Sequence, residues 1–304
     1  MQTTCKLTIA VLTMNRKEQL FEALDSCLLC RLPLNTEFLI LDNGSQDGTP
    51  QEMEQYIAAH PDVVINYHFS QSNLGVGGGR SFLFDKAAGE YVYFLDDDAV
   101  IAPESYDRFF VDSLQFLDAH PQVASMTTQV YDELCGYERT QLASKTHQVG
   151  GLPRMFFYLG LSHFLRKSSF DSPLYFPIRY GAEEYAPSIR AADRGYFHVY
   201  EEKLLIIHKP EVNKWVEGSA YMRNIIISGA AVIYATKKLL YPRVFHPVLY
   251  LGYRLRCRKH MVAYPGAKKE ADAMARKIIA ENPCKRVRFG TVIRLYRTFG
   301  KTVL

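Results

Sequence analysis

Three consecutive aspartates, Asp96, Asp97 and Asp98, directly follow the apolar run Tyr91–Leu95. Three like charges side by side repel one another, so folding alone does not require them. Carboxylates that end a buried strand lie at the rim of a sheet, and in open α/β sheets that rim is where ligands bind. Their hard oxygens suit Mg²⁺ or Mn²⁺, usually shared with the phosphates of a substrate. The triplet therefore predicts a site for a divalent metal and a nucleotide.

Two other segments carry residues that suit a nucleotide. Asp42 ends the apolar run Glu37–Leu41, and an acid in that place accepts hydrogen bonds from a ribose or a base. The glycine-dense segment Asn73–Arg80 opens a helix, so its backbone can approach a ligand and the helix N terminus favours phosphate. It is not a P-loop, because it lacks Gly-Lys-Ser/Thr. Each segment also has an ordinary structural explanation. Asp commonly begins a turn, and a run of glycines commonly forms a flexible turn.

Short apolar strands that alternate with helices must position these side chains. Thr13 or Asn15 is expected to cap the helix after the first strand, and Pro103 to open the helix before the fifth. The loop 72–79 leads into a helix that ends near Gly89. This alternation predicts an α/β fold with a mostly parallel sheet and helices on both faces. The predicted strands are 6–12, 37–41, 63–69, 91–95 and 123–127.

The alternation stops near residue 128. Residues 134–182 are loop-rich and aromatic, and they would line a substrate groove or fill a core. A helix is predicted at 183–195 and a hairpin-like segment at 196–208. The remainder of the chain is predicted to be helical and basic.

Charge differs between the two parts of the chain. Residues 201–304 hold 21 Lys and Arg against 7 Asp and Glu, whereas residues 1–200 hold 15 against 25. The acidic part suits a metal, and the basic part suits phosphate, nucleic acid or an anionic membrane surface. No run of about 18 uncharged apolar residues indicates a membrane span. The longest apolar run, 225–235, is expected to form a buried or interfacial helix.

Six cysteines are scattered along the 304 residues without a disulfide framework. The N terminus also has no basic-then-apolar signal pattern, so we expect reduced thiols in a cytoplasmic protein. Cys27 and Cys30 have the spacing of a metal or redox pair, but their place in an apolar helix favours buried thiols.

Four motifs, in their order along the chain, resemble the family 2 glycosyltransferases of the GT-A fold. The resemblance covers about residues 5–130 and resumes at 181–195, where Glu183 and Glu184 stand in place of the family's Glu-Asp pair. The segment 221–224 resembles one in rhamnosyl- and galactofuranosyltransferase-like members. The motifs are Val-Leu-Thr-Met-Asn-Arg at 11–16, Leu-Asp-Asn-Gly-Ser-Gln-Asp-Gly-Thr at 41–49, Asn-Leu-Gly-Val-Gly-Gly-Gly-Arg at 73–80 and Phe-Leu-Asp-Asp-Asp-Ala at 94–99.

The resemblance implies a role for each candidate residue. Asp98 is the expected direct metal ligand of the DxD pair, and Asp97 is the aspartate expected to matter least to the metal. His208 would complete the shell of Mn²⁺ or Mg²⁺, and the alternative is a histidine packed at a strand end. Asp42 would contact a uracil or thymine base. The implied metal ligands are Asp98, Asp96 and His208, and the implied nucleotide-sugar contacts are Thr13, Asp42, Asn73, Gly75, Arg80, Asp96 and Asp97.

The resemblance also implies inversion at the sugar, which needs a base that deprotonates the acceptor hydroxyl in line with attack. Glu184, or its neighbour Glu183, would be that base. The metal would neutralise the nucleotide diphosphate as the glycosidic bond breaks. The alternative is an acidic pair that stabilises the dipole of a helix in its first turn.

Together these expectations predict an inverting, metal-dependent glycosyltransferase of cell-surface polysaccharide synthesis. It would move a sugar from dTDP-rhamnose, UDP-galactofuranose or a UDP-hexose to a hydroxyl of a glycan or lipid-linked glycan. Residues 1–208 would form the catalytic domain, with its acceptor side at about 128–208, and residues 209–304 a helical basic region. One alternative is a nucleotidyltransferase, although Thr13–Arg16 lacks the glycine-rich loop it would need. The other is a non-catalytic module that binds sugar or nucleic acid, which the intact acidic set disfavours.

The basic tail combines Arg and Lys with aromatic residues, a composition shared by nucleic-acid-binding and membrane-surface segments. No nucleic-acid-binding fold signature accompanies Arg254–Lys259 or Lys285–Phe289. We therefore expect no nucleic-acid partner and a peripheral position on anionic lipid at the inner face of the plasma membrane. Self-association into a homo-oligomer through the tail is the alternative.

Overall fold

The computed structural model describes residues 5–134, 136–138, 143–210 and 219–304. In these ranges no helix is long and apolar enough to cross a bilayer. The strands are β1 Leu7–Thr13, β2 Thr36–Asp42, β3 Val64–Phe69, β4 Tyr91–Asp96, β5 Ala99–Ile101, β6 Val123–Asp132, β7 Tyr137–Glu138, β8 Ala143–Val149, β9 Leu152–Met155, β10 Ser162–Arg166 and β11 Phe197–His208. The helices are α1 Lys17–Leu28, α2 Thr49–Ala59, α3 Gly75–Lys86, α4 Phe109–Ala119, α5 Tyr185–Asp193, α6 Ala220–Leu240, α7 His246–His260, α8 Ala267–Glu281 and α9 Phe289–Phe299.

The strands of the described residues form one sheet in the order β3-β2-β1-β4-β10-β6-β11-β9-β8, with β5 paired to β11 and β7 to β6. β1 is parallel to β2 and β4, and β2 is parallel to β3. β10 runs antiparallel between β4 and β6, while β6 is parallel to β11. The predicted α/β fold with a mostly parallel sheet is confirmed. Because β1 and β4 are parallel neighbours, the residues that follow them reach the same rim.

The first four predicted strands are confirmed to within one residue at each end. Three of them, β1, β2 and β4, are buried along nearly their whole length. A strand buried on both faces is apolar throughout, so its ends are visible where polar residues begin.

Two predicted helix starts are wrong. Neither Thr13 nor Asn15 caps α1, because Arg16 occupies the N-cap position. Asn15 adopts a positive φ of 52° and accepts a hydrogen bond from the N–H of Gln46, so it supports the neighbouring loop instead. Pro103 opens only a single 3₁₀ turn, and α4 begins at Phe109.

The region beyond residue 128 contains more strand than the sequence predicts. Four strands, β7 to β10, lie in the segment 134–182 that was expected to be loop-rich, and β10 is a central strand of the sheet. The hairpin-like segment 196–208 is instead the single strand β11. Its register shifts between Glu201 and Leu205, and the polar residues at this bulge look like a turn in the sequence.

The C-terminal helices share an apolar core with α5. α6 packs on α8, and small buried residues on both helices allow close approach. The apolar run 225–235 lies in α6, where part of it is buried. Because this core also includes Phe156 and Ile189 from earlier in the chain, residues 219–304 pack directly on the preceding part of the protein. The domain boundary at 208 stays a prediction.

Cys27 of α1 and Cys30, which follows the end of this helix, are buried and unoxidised. Cys27 and Cys30 are both free thiols in the core beneath the sheet. Burial raises the pKa of Cys30 to about 12. A thiol in that state is a poor nucleophile and a poor metal ligand, in agreement with the prediction of buried thiols.

Candidate active site

A cleft opens at the rim of the sheet where β4 ends. It encloses about 930 Å³ of empty space, part of it open to solvent. Its polar wall includes six residues that the sequence predicted as candidates, although they come from four separate segments of the chain. They are Arg80, Asp96, Asp98, Glu183, Glu184 and His208, and Arg16, Tyr180 and Tyr221 line the same cleft.

The three aspartates point in different directions. Asp97 accepts a hydrogen bond from Arg16 at 2.7 Å and lies behind the cleft wall. Asp98 pairs with the same guanidinium at 2.8 Å, and Asp96 pairs with Arg80. Burial raises the pKa of Asp97 to about 6, although Arg16 opposes the increase. Asp96 and Asp98 are therefore the members that face the cleft, and the minor role of Asp97 toward a metal stays a prediction.

His208 reaches the aspartates through strand pairing. β11 pairs with β5, which puts His208 beside Ala99, and with β6, which puts it beside Asp132. Its Nδ1 lies 3.1 Å from an oxygen of Asp132, and its Nε2 lies 3.6 Å from Oδ1 of Asp98. Burial alone would raise the pKa of Asp98, but His208 and Arg16 favour its carboxylate and lower it. The imidazole thus lies between two carboxylates, one at each nitrogen.

Asp98 and His208 have the donor chemistry of a divalent metal site. A carboxylate and an imidazole both suit first-row metals. A metal-bound histidine usually donates its other N–H to a carboxylate, and Asp132 is in that position. Within the described ranges, no three His, Cys, Asp or Glu side chains already surround a cation position. The residues present therefore fit a metal whose other ligands are water and substrate phosphates.

Arg80 links the aspartates to the glutamate pair. Its guanidinium donates to Asp96, to the carbonyl of Gly160 at 2.8 Å and to Glu183 at 2.7 Å. An oxygen of Glu184 lies 3.6 Å from the same guanidinium. Burial alone would lower the pKa of Arg80, but Asp96 and Glu183 raise it above its ordinary value. One buried cation therefore contacts three carboxyl groups that line the cleft.

Glu184 is buried at the start of α5. Burial raises its pKa to about 8, Glu183 adds to the increase, and Arg80 opposes it. Gly160 makes room for this carboxyl, since a β-carbon there would lie 2.1 Å from Oε1 of Glu184 and 2.6 Å from Nη1 of Arg80. A carboxyl with a pKa near neutrality is suited to accept a proton. Because Glu183 is tied to Arg80, Glu184 is the better placed of the two for that role.

Asp42 and Thr13 are predicted to contact the nucleotide base, and both form hydrogen bonds with other residues of the protein. Asp42 is fully buried, and its carboxylate accepts from backbone N–H groups of the following turn and from the hydroxyl of Tyr67 at 2.7 Å. Thr13 lies beside Asp42 in the strand register but donates its hydroxyl to Asp97 at 2.8 Å. Contact of either residue with a base stays a prediction.

The glycine-dense segment forms the first turn of α3 rather than a loop. Asn73 accepts a hydrogen bond from the N–H of Gly75 at 2.7 Å. The N–H groups of Val76 and Gly77, which a phosphate would use, are donated to carbonyls of segment 178–179. A β-carbon at Gly75 or Gly77 would collide with the backbone nearby. These glycines therefore permit close packing of the chain on itself, and the expected phosphate site at this helix N terminus is not formed.

Four residues of the site were not singled out from the sequence. Arg16 follows β1, which is the neighbour of β4. Its place at the same rim as the aspartates is the signal from which a pairing with them could have been predicted. Asp132 and Gly160 lie where the alternation of strands and helices has stopped, and only strand pairing places them. Tyr180 donates to or accepts from the hydroxyl of Tyr221 at 3.2 Å across the mouth of the cleft.

A family model described as Glycosyl transferase family 2 matches residues 8–183, more than half of the chain. Among curated relatives, an uncharacterized protein of Mycobacterium tuberculosis is 28% identical over 117 residues, which is 38% of this chain and 32% of that protein. A processive diacylglycerol beta-glycosyltransferase of Mycoplasma pneumoniae is 29% identical over 77 residues, 25% of this chain and 23% of that protein. The chain thus matches about a third or less of the length of these relatives.

Solved structures share the fold over nearly the whole chain. The mannosyltransferase PcManGT of Pyrobaculum calidifontis, in complex with GDP-Man and Mn²⁺, superposes with a TM-score of 0.58 at 17% identity and covers 99% of this chain and 85% of that one. Residues 1–349 of S. aureus TarS, in complex with UDP-GlcNAc, give a TM-score of 0.57 at 17% identity and cover 91% of each chain. At this identity the likeness shows the fold, which is the GT-A fold that the motifs implied.

Proposed function

The chain belongs to glycosyl transferase family 2, and on that premise we propose that it is an inverting, metal-dependent glycosyltransferase. It moves a sugar from a nucleotide diphosphate to a hydroxyl of a glycan or lipid-linked glycan in cell-surface polysaccharide synthesis. The observation that carries this proposal is one cleft that contains Asp96, Asp98 and His208 together with the glutamate pair, with Arg80 joining Asp96 to the glutamates. A diphosphate and its metal ion need the aspartates and the histidine, and an acceptor hydroxyl needs the glutamate pair.

Asp98 and His208, with Asp96, would hold the divalent metal, either Mn²⁺ or Mg²⁺. When bound, such a metal stabilises the negative charge of the departing diphosphate. Asp132 orients the imidazole of His208, and Arg16 holds Asp98 in place from the other side. The choice of Mn²⁺ is supported by its presence in the PcManGT complex.

Glu184 accepts the proton of the acceptor hydroxyl. Its raised pKa makes it a stronger base than an exposed glutamate. Burial destabilises the charged carboxylate, and accepting a proton removes that charge. Arg80, 3.6 Å away, keeps part of the population ionised before the acceptor arrives. Glu183 accepts a hydrogen bond from Nη1 of the same guanidinium and helps to hold it in position.

The proposed donor is a uridine or thymidine diphosphate sugar, namely dTDP-rhamnose, UDP-galactofuranose or a UDP-hexose. Its support is the place of Asp42 at the end of β2, the resemblance at 221–224, and the UDP-GlcNAc in the TarS complex. A guanine nucleotide is the competing donor, because PcManGT was solved with GDP-Man.

A donor-hydrolysis screen across nucleotide sugars, with and without Mn²⁺, tests this function. We expect metal-dependent hydrolysis of one donor, abolished by Asp98→Ala and reduced less by Asp97→Asn. Equal losses in the two variants would contradict the assignment of Asp98 as the direct ligand. The transfer function would be overturned if nucleic acid raised the melting temperature of the protein while no nucleotide diphosphate did so.

We also propose a cytoplasmic chain that is peripheral at the inner face of the plasma membrane, where lipid-linked acceptors are available. The support is the excess of basic residues in 201–304, where 21 Lys and Arg face 7 Asp and Glu. Such an excess attracts a protein to anionic lipid.

A further inference from the structure

The outward face of α7 carries a row of exposed apolar side chains. Val248, Leu251 and Leu255 follow one another at spacings of three and four residues, so they lie along one stripe of the helix. Leu251 is 57% exposed and Leu255 is 55% exposed, whereas Leu249 and Tyr253 are buried on the opposite side. This helix is therefore packed through one face and apolar on the other.

The exposed apolar surface extends beyond the helix at both ends. Val244 lies just before α7 and Val262 just after it, and both are strongly exposed. Exposed large apolar residues elsewhere in the described chain are scattered, which is normal for a protein surface. A continuous group of them along one helix calls for an occupant.

Basic residues border this stripe. At about 100° per residue, Lys259 falls on one side of it and Arg254 and Arg258 on the other, and all three are exposed. The sequence contains no Asp or Glu between Glu217 and Glu270. A face that is apolar along its middle, basic along both edges and free of acidic residues is complementary to an anionic lipid surface.

A cavity lies between α6 and α7 on the packed side of α7, where Leu249 and Tyr253 line it. It encloses about 380 Å³ of empty space, and two cations, Lys237 and Arg256, line its apolar walls. Lys237 is buried and donates to main-chain oxygens of Thr302 and Leu304. Burial lowers the pKa of Lys237 to about 7, and Arg256 contributes to the decrease.

We propose that the outward face of α7 docks on an anionic lipid bilayer. Val248, Leu251 and Leu255 enter the boundary between headgroups and acyl chains, and the basic edges contact phosphates. A second copy of this face is a poorer occupant, because it would bring basic edges together without an acid between them. The docking rests on the peripheral location proposed above and is independent of the transfer reaction.

Flotation of the purified full chain with vesicles tests the docking. The vesicles are phosphatidylcholine alone, or phosphatidylcholine with about one third phosphatidylglycerol. We expect the chain to float with the anionic vesicles at low salt, not with the neutral ones, and to be released at high salt because exposed charges are screened.

Paired substitutions locate the surface. Leu251→Glu with Leu255→Glu should reduce the bound fraction roughly tenfold or more, because two charges then face the acyl boundary. Leu29→Glu with Leu34→Glu is the matched control, since these leucines are 65% and 89% exposed outside α7. The control should bind as the wild type does. Arg254→Gln with Arg258→Gln, which preserves the apolar stripe, should lower the salt concentration that releases the chain, and circular dichroism checks the folding of each variant.

Three results would overturn the docking. The first is a wild-type chain that does not float with anionic vesicles at low salt. The second is an equal loss of binding in the α7 leucine pair and the control pair. The third is a dimer in sedimentation that the α7 pair dissociates while vesicle binding is unchanged. Donor hydrolysis measured without vesicles reports on the proposed reaction alone, so failure of one proposal is distinguishable from failure of the other.

Discussion

Replacing Glu184 by Gln separates two consequences of burying this carboxyl. Gln keeps the shape of the side chain but cannot carry the charge. The pKa of Glu184 rises from 4.5 to about 8 on folding, so the folded protein binds this proton more tightly than the unfolded chain does. The stability that comes from the proton is fully present below a pH of about 4.5 and is lost as the pH rises through about 8.

The expected magnitude follows from that shift. A change of roughly 3.5 pKa units corresponds to about 5 kcal/mol at 1.36 kcal/mol per unit. This value is an upper bound, because Glu183 and Glu184 interact and part of the shift belongs to the pair. We expect Glu184→Gln to exceed the wild type in free energy of unfolding by about 2–5 kcal/mol near pH 9 and to match it near pH 5. Transfer should fall about 10²- to 10⁴-fold, because the base is lost.

Urea unfolding at the two pH values measures the stability, and donor-to-acceptor transfer measures the base. The kcat of the wild type should rise with pH toward a plateau above about pH 8, as ionised Glu184 accumulates. Glu183→Gln is the control, since it breaks the 2.7 Å ion pair with Arg80. Because Arg80 keeps its ion pair with Asp96, that variant should lose about 1–3 kcal/mol near pH 5. The reasoning is refuted if Glu184→Gln is no more stable than the wild type near pH 9.

Two further substitutions test the assembly of the site. Gly160→Ala places a β-carbon 2.1 Å from Oε1 of Glu184, so urea unfolding should show a loss of about 1–3 kcal/mol together with weaker transfer. Gly229→Ala, whose added carbon has nothing within 4 Å, is its control, and a similar loss there would discount the steric argument. Asp132→Asn removes the carboxylate charge beside Nδ1 of His208, so the Kd for Mn²⁺ measured by calorimetry should rise about 10- to 100-fold. An unchanged Kd would remove this pair from the metal site.

The sequence by itself determined the strands that carry the aspartates. β1, β2 and β4 are buried, so each had to be apolar along its length, and the polar residue that ends each strand marks the rim of the sheet. Asp42 and Asp96 could therefore be located from local pattern alone. β10 could not, because an antiparallel strand inserted between β4 and β6 leaves no mark in the alternation of strands and helices.

Only the tertiary structure decided how these carboxylates are paired and charged. His208 lies 3.6 Å from Asp98 because β11 pairs with β5, a contact between segments that are distant in the chain. The raised pKa of Glu184 depends on burial beside Glu183 and Arg80, in the space that Gly160 leaves open. Residue type and strand ends are local properties and can be recognised in a sequence. Solvent exclusion and the nearest opposite charge arise only when remote segments meet, and they set the protonation state on which the proposed chemistry depends.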